Sequence, residues 1–226
     1  MPKAMTLEDI AEVKKAFVAT TKRALTAGFD VIEIHNAHGY LLHNFVSTIS
    51  NRRTDQYGGS FKNRIRLTLE IVDLVRETIP ASMPLFLCIS ATEWLDQGYF
   101  SGESWTIKDS VKLAGILAQR GVDLIDVSSG GNHPDQKIKT GPGYQAKEIK
   151  KAVGDKMAEA TVGSITTGKL ANQLLEEGLD LAVAARMFLK NPGLVWAWAE
   201  ELGVEIQMAN QYQWGFGGRP GAPKKN

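Results

Sequence analysis

The chain has 226 residues, 43% of them hydrophobic and 23% charged, and its 26 Lys and Arg against 25 Asp and Glu leave a formal net charge of +1. That length supports one domain with a sizeable core, and the near-neutral, interspersed charge excludes an electrostatic footprint for nucleic acid or an anionic membrane. No apolar run reaches the roughly 18 residues of a membrane span, Met1-Pro2-Lys3-Ala4 holds no apolar signal core, and a single cysteine, Cys88, cannot close an internal disulfide, so a cytoplasmic protein is expected.

In chain order, Thr6 and Asp9 match a Thr-x-x-Asp cap at the head of a first helix, with Ile10, Val13, Phe17 and Ala24 on one face. Gly28-Phe29-Asp30-Val31-Ile32-Glu33-Ile34 then reads as a helix-ending glycine, a turn aspartate and a buried parallel strand. A stripe of Phe61, Ile65, Leu69, Val72 and Val75 stops at Pro80, and Pro84-Leu85-Phe86-Leu87-Cys88-Ile89-Ser90 is a second strand. Thr106 and Asp109 cap another helix, after which the phrase recurs as Gly121-Val122-Asp123-Leu124-Ile125-Asp126-Val127. A helix beginning near Lys147 leads to a weaker strand, Ala160-Thr161-Val162-Gly163, next to Glu159, a carboxylate that is costly to bury without a partner. Leu170, Leu174 and Leu175 precede the last repeat, Gly178-Leu179-Asp180-Leu181-Ala182-Val183.

Helices alternating with strands, and no hairpin signal, predict an α/β fold with a parallel sheet and right-handed crossovers, a segment of a barrel. About five strands do not close an eight-stranded barrel, which typically takes about 250 residues and at least about 200. Open parallel edges invite association, so a homo-oligomer, or pairing with a full-length homologue, is expected. Residues 1–226 form one expected domain, with a disordered tail over 220–226.

The chemistry concentrates in Ile34-His35-Asn36-Ala37-His38-Gly39-Tyr40, which sets two imidazoles and a phenol at a strand end. In α/β proteins ligands bind where parallel strands deliver their C-terminal ends. Taken alone, the trio is open to two readings: a satisfied core histidine with an ordinary amphipathic tyrosine, or a site. No further His, Cys or carboxylate falls at ligand spacing for zinc, so no metal is expected.

With Ser50-Asn51-Arg52-Arg53-Thr54-Asp55-Gln56-Tyr57-Gly58-Gly59-Ser60 downstream, the segment resembles the old yellow enzymes, FMN-dependent ene-reductases on a TIM (β/α)8 barrel. The His-x-x-His-x-Tyr form is similar to their thermophilic-like subgroup. The resemblance runs from roughly Thr6 to Arg219 and covers the C-terminal half of the family's barrel. It implies FMN as cofactor, NADPH or NADH as its reductant, and a small enone-type substrate. His35 and His38 would hold the carbonyl oxygen, and Tyr40 would protonate the α-carbon after hydride transfer from N5 of the flavin. Gly163 and Ser164 would offer amides, and Arg186 its guanidinium, to the FMN phosphate.

The chain also departs from the pattern. Ala185 stands where the family usually has glycine. Cys88 stands where the family has an arginine facing the N1 and C2-oxygen edge of the flavin, and a neutral thiol is too short to replace it. The link after Gly141-Pro142-Gly143-Tyr144-Gln145 is shorter than usual, and Ser128-Ser129-Gly130-Gly131-Asn132-His133 is placed to line the substrate side. Trp214-Gly215-Phe216-Gly217-Gly218-Arg219 resembles the tail that carries an arginine into a neighbouring subunit's site; a flexible Gly-rich tail is the other reading. The implied function is NAD(P)H-dependent reduction of the C=C bond of α,β-unsaturated carbonyls. The alternatives are a truncated, flavin-free paralogue acting as a binding or regulatory partner, and flavin-independent acid-base chemistry by the trio.

Overall fold

The computed structural model describes residues 3–95 and 103–217. Helix α1 (Leu7–Ala27) begins at a capping box in which Thr6 Oγ1 accepts the Asp9 amide at 3.1 Å and Asp9 accepts the Thr6 amide at 2.8 Å, satisfying donors that a helix start otherwise leaves orphaned. It ends at Gly28, whose φ of +83° is left-handed and favours glycine. Strand β1 (Ile32–Asn36) and a short helix α2 (Leu41–Val46) follow. The single helix expected over the Phe61–Val75 stripe is two, α3 (Phe61–Arg64) and α4 (Arg66–Thr78), broken at Ile65, yet Ile65, Leu67, Ile71, Val72 and Val75 keep one buried face. Ile79 is extended, as the residue before a proline tends to be, and this ends α4.

Next come β2 (Leu85–Ser90), α5 (Ile107–Gln119) with its Thr106–Asp109 capping box, β3 (Leu124–Ser128) and α6 (Tyr144–Val153). Helix α6 starts three residues ahead of the expected Lys147. Gly143 takes φ +77° just before it, and a Cβ there would meet Leu174 at 2.6 Å. Strand β4 (Ala158–Val162), α7 (Gly168–Glu176), β5 (Leu181–Val183), α8 (Arg186–Lys190), α9 (Leu194–Leu202) and α10 (Gln213–Gly217) complete the described chain. Among the described residues no helix is long and apolar enough to cross a membrane.

The five strands are parallel and their order in the sheet is their order in the chain, β1-β2-β3-β4-β5. That order never reverses, so there is no doubly wound switch point, and right-handed crossovers bring the connecting helices to one face. Against the helices pack Ile34, Leu87, Ile89 and Ile125, none more than 2% exposed. Strand alternation sends Glu33, His35, Cys88, Asp126 and Ser128 to the other face. Because His35 is in register with Cys88 and Cys88 with Asp126, these side chains form a row across three strands. The architecture is an incomplete barrel-type α/β sheet of five parallel strands, as expected. Arg219 and residues 220–226, the expected tail, lie outside the described residues.

Glu159 does find a partner. It points to the helix side, fully buried, with Lys150 Nζ of α6 at 2.9 Å from Oε2, although neither carboxylate oxygen has a donor aligned as a hydrogen bond. Burial outweighs the pull of Lys150, with Asp180 adding to it, and pushes the Glu159 carboxyl up to about 7 from 4.5. Between those values the folded protein keeps a proton that the unfolded chain has released, so this group's contribution to stability falls as pH rises through the window. Glu159→Gln removes the effect. The stability of the variant relative to wild type, from urea unfolding, should rise between about pH 4.5 and 7 by as much as about 3 kcal/mol; a difference independent of pH would contradict this.

Candidate active site

β1 delivers His35 to the open face, and the chain then turns sharply, with Tyr40 N–H donating to Ala37 O at 3.1 Å. His38 and Gly39 are both left-handed, at φ +58° and +75°. For a histidine that conformation costs about 1–2 kcal/mol, and three contacts offset it. His38 N–H donates to Ser90 Oγ at 2.9 Å, His38 Nε2 lies 2.6 Å from Ser128 Oγ, and Gly39 N–H donates to His43 Nδ1 at 2.9 Å. The turn sets the His35 ring centroid 5.3 Å from that of His38 and 5.4 Å from that of Tyr40. All three predicted groups therefore meet. They do not sit in the dry pocket that strand-end donors would need: His35 is exposed and Tyr40 is 65% exposed. Burial, then the neighbouring His35 and His43, hold the His38 imidazole below its usual range, which keeps it neutral at pH 7.

The loop after β3 buttresses this turn backbone to backbone. A Cβ on Gly131 would lie 2.9 Å from His38 Cα, and one on Gly39 would lie 3.0 Å from Asn132 Cα. Gly131 also has φ +94°. Gly131→Ala is expected to displace His38 and to cost about 1–3 kcal/mol of stability, read as a lowered thermal midpoint and shifted His38 ring resonances; an unchanged midpoint would contradict it. His133 in the same loop accepts the Asp135 amide at Nδ1, 3.2 Å, and is not among the groups lining the cavity described next.

A cavity of about 870 Å³ opens on the strand ends, within the size range of small-molecule sites. His35, His38 and Ser128 line one part and Gly163, Ser164, Ala185, Arg186 and Lys190 another, so every predicted site residue among the described ones except Tyr40 borders it. Gly163 at φ +117° and Ser164 at φ +56° turn the chain there. A Cβ on Gly163 would meet open space, so conformation rather than crowding favours glycine. Ala185 has φ −111° and needs no glycine for its own backbone.

Sequence reasoning did not assign Glu33, Asp126 or Lys190 to the site. The first two were visible as polar residues at alternate positions in otherwise apolar strands; Lys190 stands four residues after Arg186, on the same side of α8. Glu33, Cys88 and Asp126 bring one ligand-type atom each to within 4.8 Å of one another on the cavity floor. Burial, followed by the charge of Asp126, raises the Glu33 carboxyl; burial raises Asp126 against the Cys88 and His35 contacts; burial and both carboxylates push the Cys88 thiol far up. The floor is thus acidic or neutral, with no reactive thiolate.

The residues fit FMN at one end and strain the fit at the other. Arg186 and Lys190 beside the Gly163–Ser164 turn suit a phosphate, and the volume suits the whole group, but Cys88 leaves the floor without the positive charge that a reduced, anionic flavin ring calls for.

The chain is matched over residues 1–205 by the model of the NADH:flavin oxidoreductase / NADH oxidase family. It is 56% identical over 228 residues to an NADH:flavin oxidoreductase of Gibberella zeae, spanning 97% of this chain and 55% of that protein. It is 46% identical over 219 residues to an NADPH dehydrogenase of a Geobacillus species, spanning 95% of this chain and 61% of the other. Among solved structures it is similar to morphinone reductase, with a TM-score of 0.72 and 27% identity, over 92% of this chain and 53% of that one. The chain therefore spans between about half and three fifths of the length of these relatives, and its five parallel strands match part of their TIM barrel. Identity this high, sustained along nearly the whole chain, places it in the NADH:flavin oxidoreductase / NADH oxidase family, that of the old yellow enzymes.

Proposed function

We propose that this chain supplies the substrate-binding and phosphate-binding part of an FMN-dependent NAD(P)H oxidoreductase that reduces the C=C bond of α,β-unsaturated carbonyl compounds. The observation that carries the reading is the gathering of His35, His38 and Tyr40, the His35 ring centroid lying 5.3 and 5.4 Å from the other two, beside a cavity that His35 and His38 line. FMN, when bound and reduced by NADPH or NADH, supplies the hydride. The chain's residues do the rest. As a hydride reaches the β-carbon, negative charge grows on the carbonyl oxygen, and N–H donors from His35 and His38 stabilise it; loss of one such donor typically costs about 10²–10³-fold. The Tyr40 phenol gives its proton to the α-carbon as general acid. Arg186, Lys190 and the Gly163 and Ser164 amides hold the phosphate.

The second reading, a flavin-free relative that binds or regulates a longer homologue, is favoured by one observation, the uncompensated Glu33–Cys88–Asp126 floor. Purified protein supplemented with FMN should oxidise NADPH faster when cyclohexenone is added. NADPH oxidation indifferent to both FMN and enone would overturn the first reading and leave the second.

A further inference from the structure

We propose that His43 and Glu93 are positioning residues for this site, a wholly buried pair that holds the His38-Gly39-Tyr40 turn in its left-handed course. The inference rests on the reading of His35, His38 and Tyr40 as the substrate groups. His43, on α2, is 1% exposed and Glu93, just after β2, is 0% exposed. A carboxylate so deeply buried is costly unless donors surround it, and they do. Its Oε2 accepts the Trp105 amide at 2.8 Å, its Oε1 accepts Asn132 Nδ2 at 2.7 Å, and His43 Nε2 faces Oε1 at 3.5 Å. Burial alone would raise the Glu93 carboxyl; the facing His43 ring, Ser47 and the Trp105 amide hold it below its usual range instead.

The geometry around His43 dictates where its proton sits. Nδ1 accepts the Gly39 amide at 2.9 Å and so carries no proton of its own. In the neutral ring the proton is then on Nε2, which has no hydrogen-bond partner within normal distance and is directed at Glu93. Glu93 favours this tautomer electrostatically. With the proton on Nδ1, two N–H groups would oppose each other at Gly39 and the turn would lose its clamp. The same carboxylate grips Asn132, whose Cα lies 3.0 Å from where a Gly39 Cβ would fall. One buried charge thus secures both walls of the turn that carries His38 and Tyr40, without touching substrate.

Two measurements on the full chain test this. Long-range ¹H–¹⁵N spectra of wild type should show His43 protonated on Nε2; a proton on Nδ1 would overturn the assignment with no variant made. In His43→Leu and Glu93→Gln the Gly39 amide should exchange at least about 10-fold faster while the Leu87 and Ile125 amides keep their protection. His43→Asn, whose Oδ1 can replace Nδ1 as acceptor, should restore it. With FMN and enone, kcat should fall about 10–100-fold in His43→Leu, by misplacement of the reacting groups, with the KM for NADPH unchanged, and recover in His43→Asn. Unchanged Gly39 exchange in His43→Leu, or equal loss of turnover in the Leu and Asn variants, would overturn the proposal. A protected Gly39 with the Nε2 proton in a wild type that shows no enone turnover would instead sink the functional reading and leave the clamp standing.

Discussion

Tyr40→Phe is expected to slow enone reduction by about 10²–10⁴-fold, the usual contribution of a positioned general acid, while FMN binding and thermal stability stay at wild-type values. The phenol is the group removed, and Tyr40, being 65% exposed, gives the core little to lose. His35→Ala should instead act through the carbonyl oxygen, costing about 10²–10³-fold and raising the KM for the enone as well. Single-turnover oxidation of the reduced protein by cyclohexenone separates the two: Tyr40→Phe should slow the chemical step at saturating enone. Equal rates in wild type and Tyr40→Phe would remove Tyr40 from the chemistry.

The second large effect is a gain. Cys88→Arg should tighten FMN binding by about 10–100-fold, the worth of a hydrogen bond to a charged group at about 1.5–3 kcal/mol. The reason lies in the floor of the cavity. Glu33 and Asp126 flank Cys88 with their carboxyls pushed up by burial, and a guanidinium between them would pair with both and face the cavity as a cation. The introduced charge should favour reduced over oxidised FMN, so the bound flavin's midpoint potential should rise along with affinity. Fluorescence titration of wild type and variant with FMN at constant ionic strength reads the first effect. Equal affinities would mean that the ring does not lie over this floor.

Most of the fold was legible because its signals are local. The capping pairs at Thr6 and Thr106, the glycines at 28, 121 and 178, and the apolar strands each depend on a few neighbouring residues, and all recur in the structure. The break at Ile65 and the early start of α6 were not legible, since the first leaves the buried stripe intact and the second depends on Gly143 meeting Leu174 from a distant helix. At the site, the spacing of His35, His38 and Tyr40 pointed to their meeting. What it could not carry was the exposure of Tyr40, which depends on what covers the open face, or the Lys150 partner of Glu159, which depends on how α6 packs on β4. The roles of Glu93 and His43 were hidden for the same reason. Fifty residues separate them, and only the register of β1 with β2 brings them face to face.

The proposed flavin site is the cavity that runs from His35 and His38 to Arg186. FMN titrated into the pure full chain, followed by gel filtration and a visible spectrum, tests it most directly. Flavin absorbance co-eluting with the protein, weakened by Arg186→Ala and strengthened by Cys88→Arg, is the predicted result. Colourless protein from wild type and Cys88→Arg alike, at saturating FMN, would contradict it.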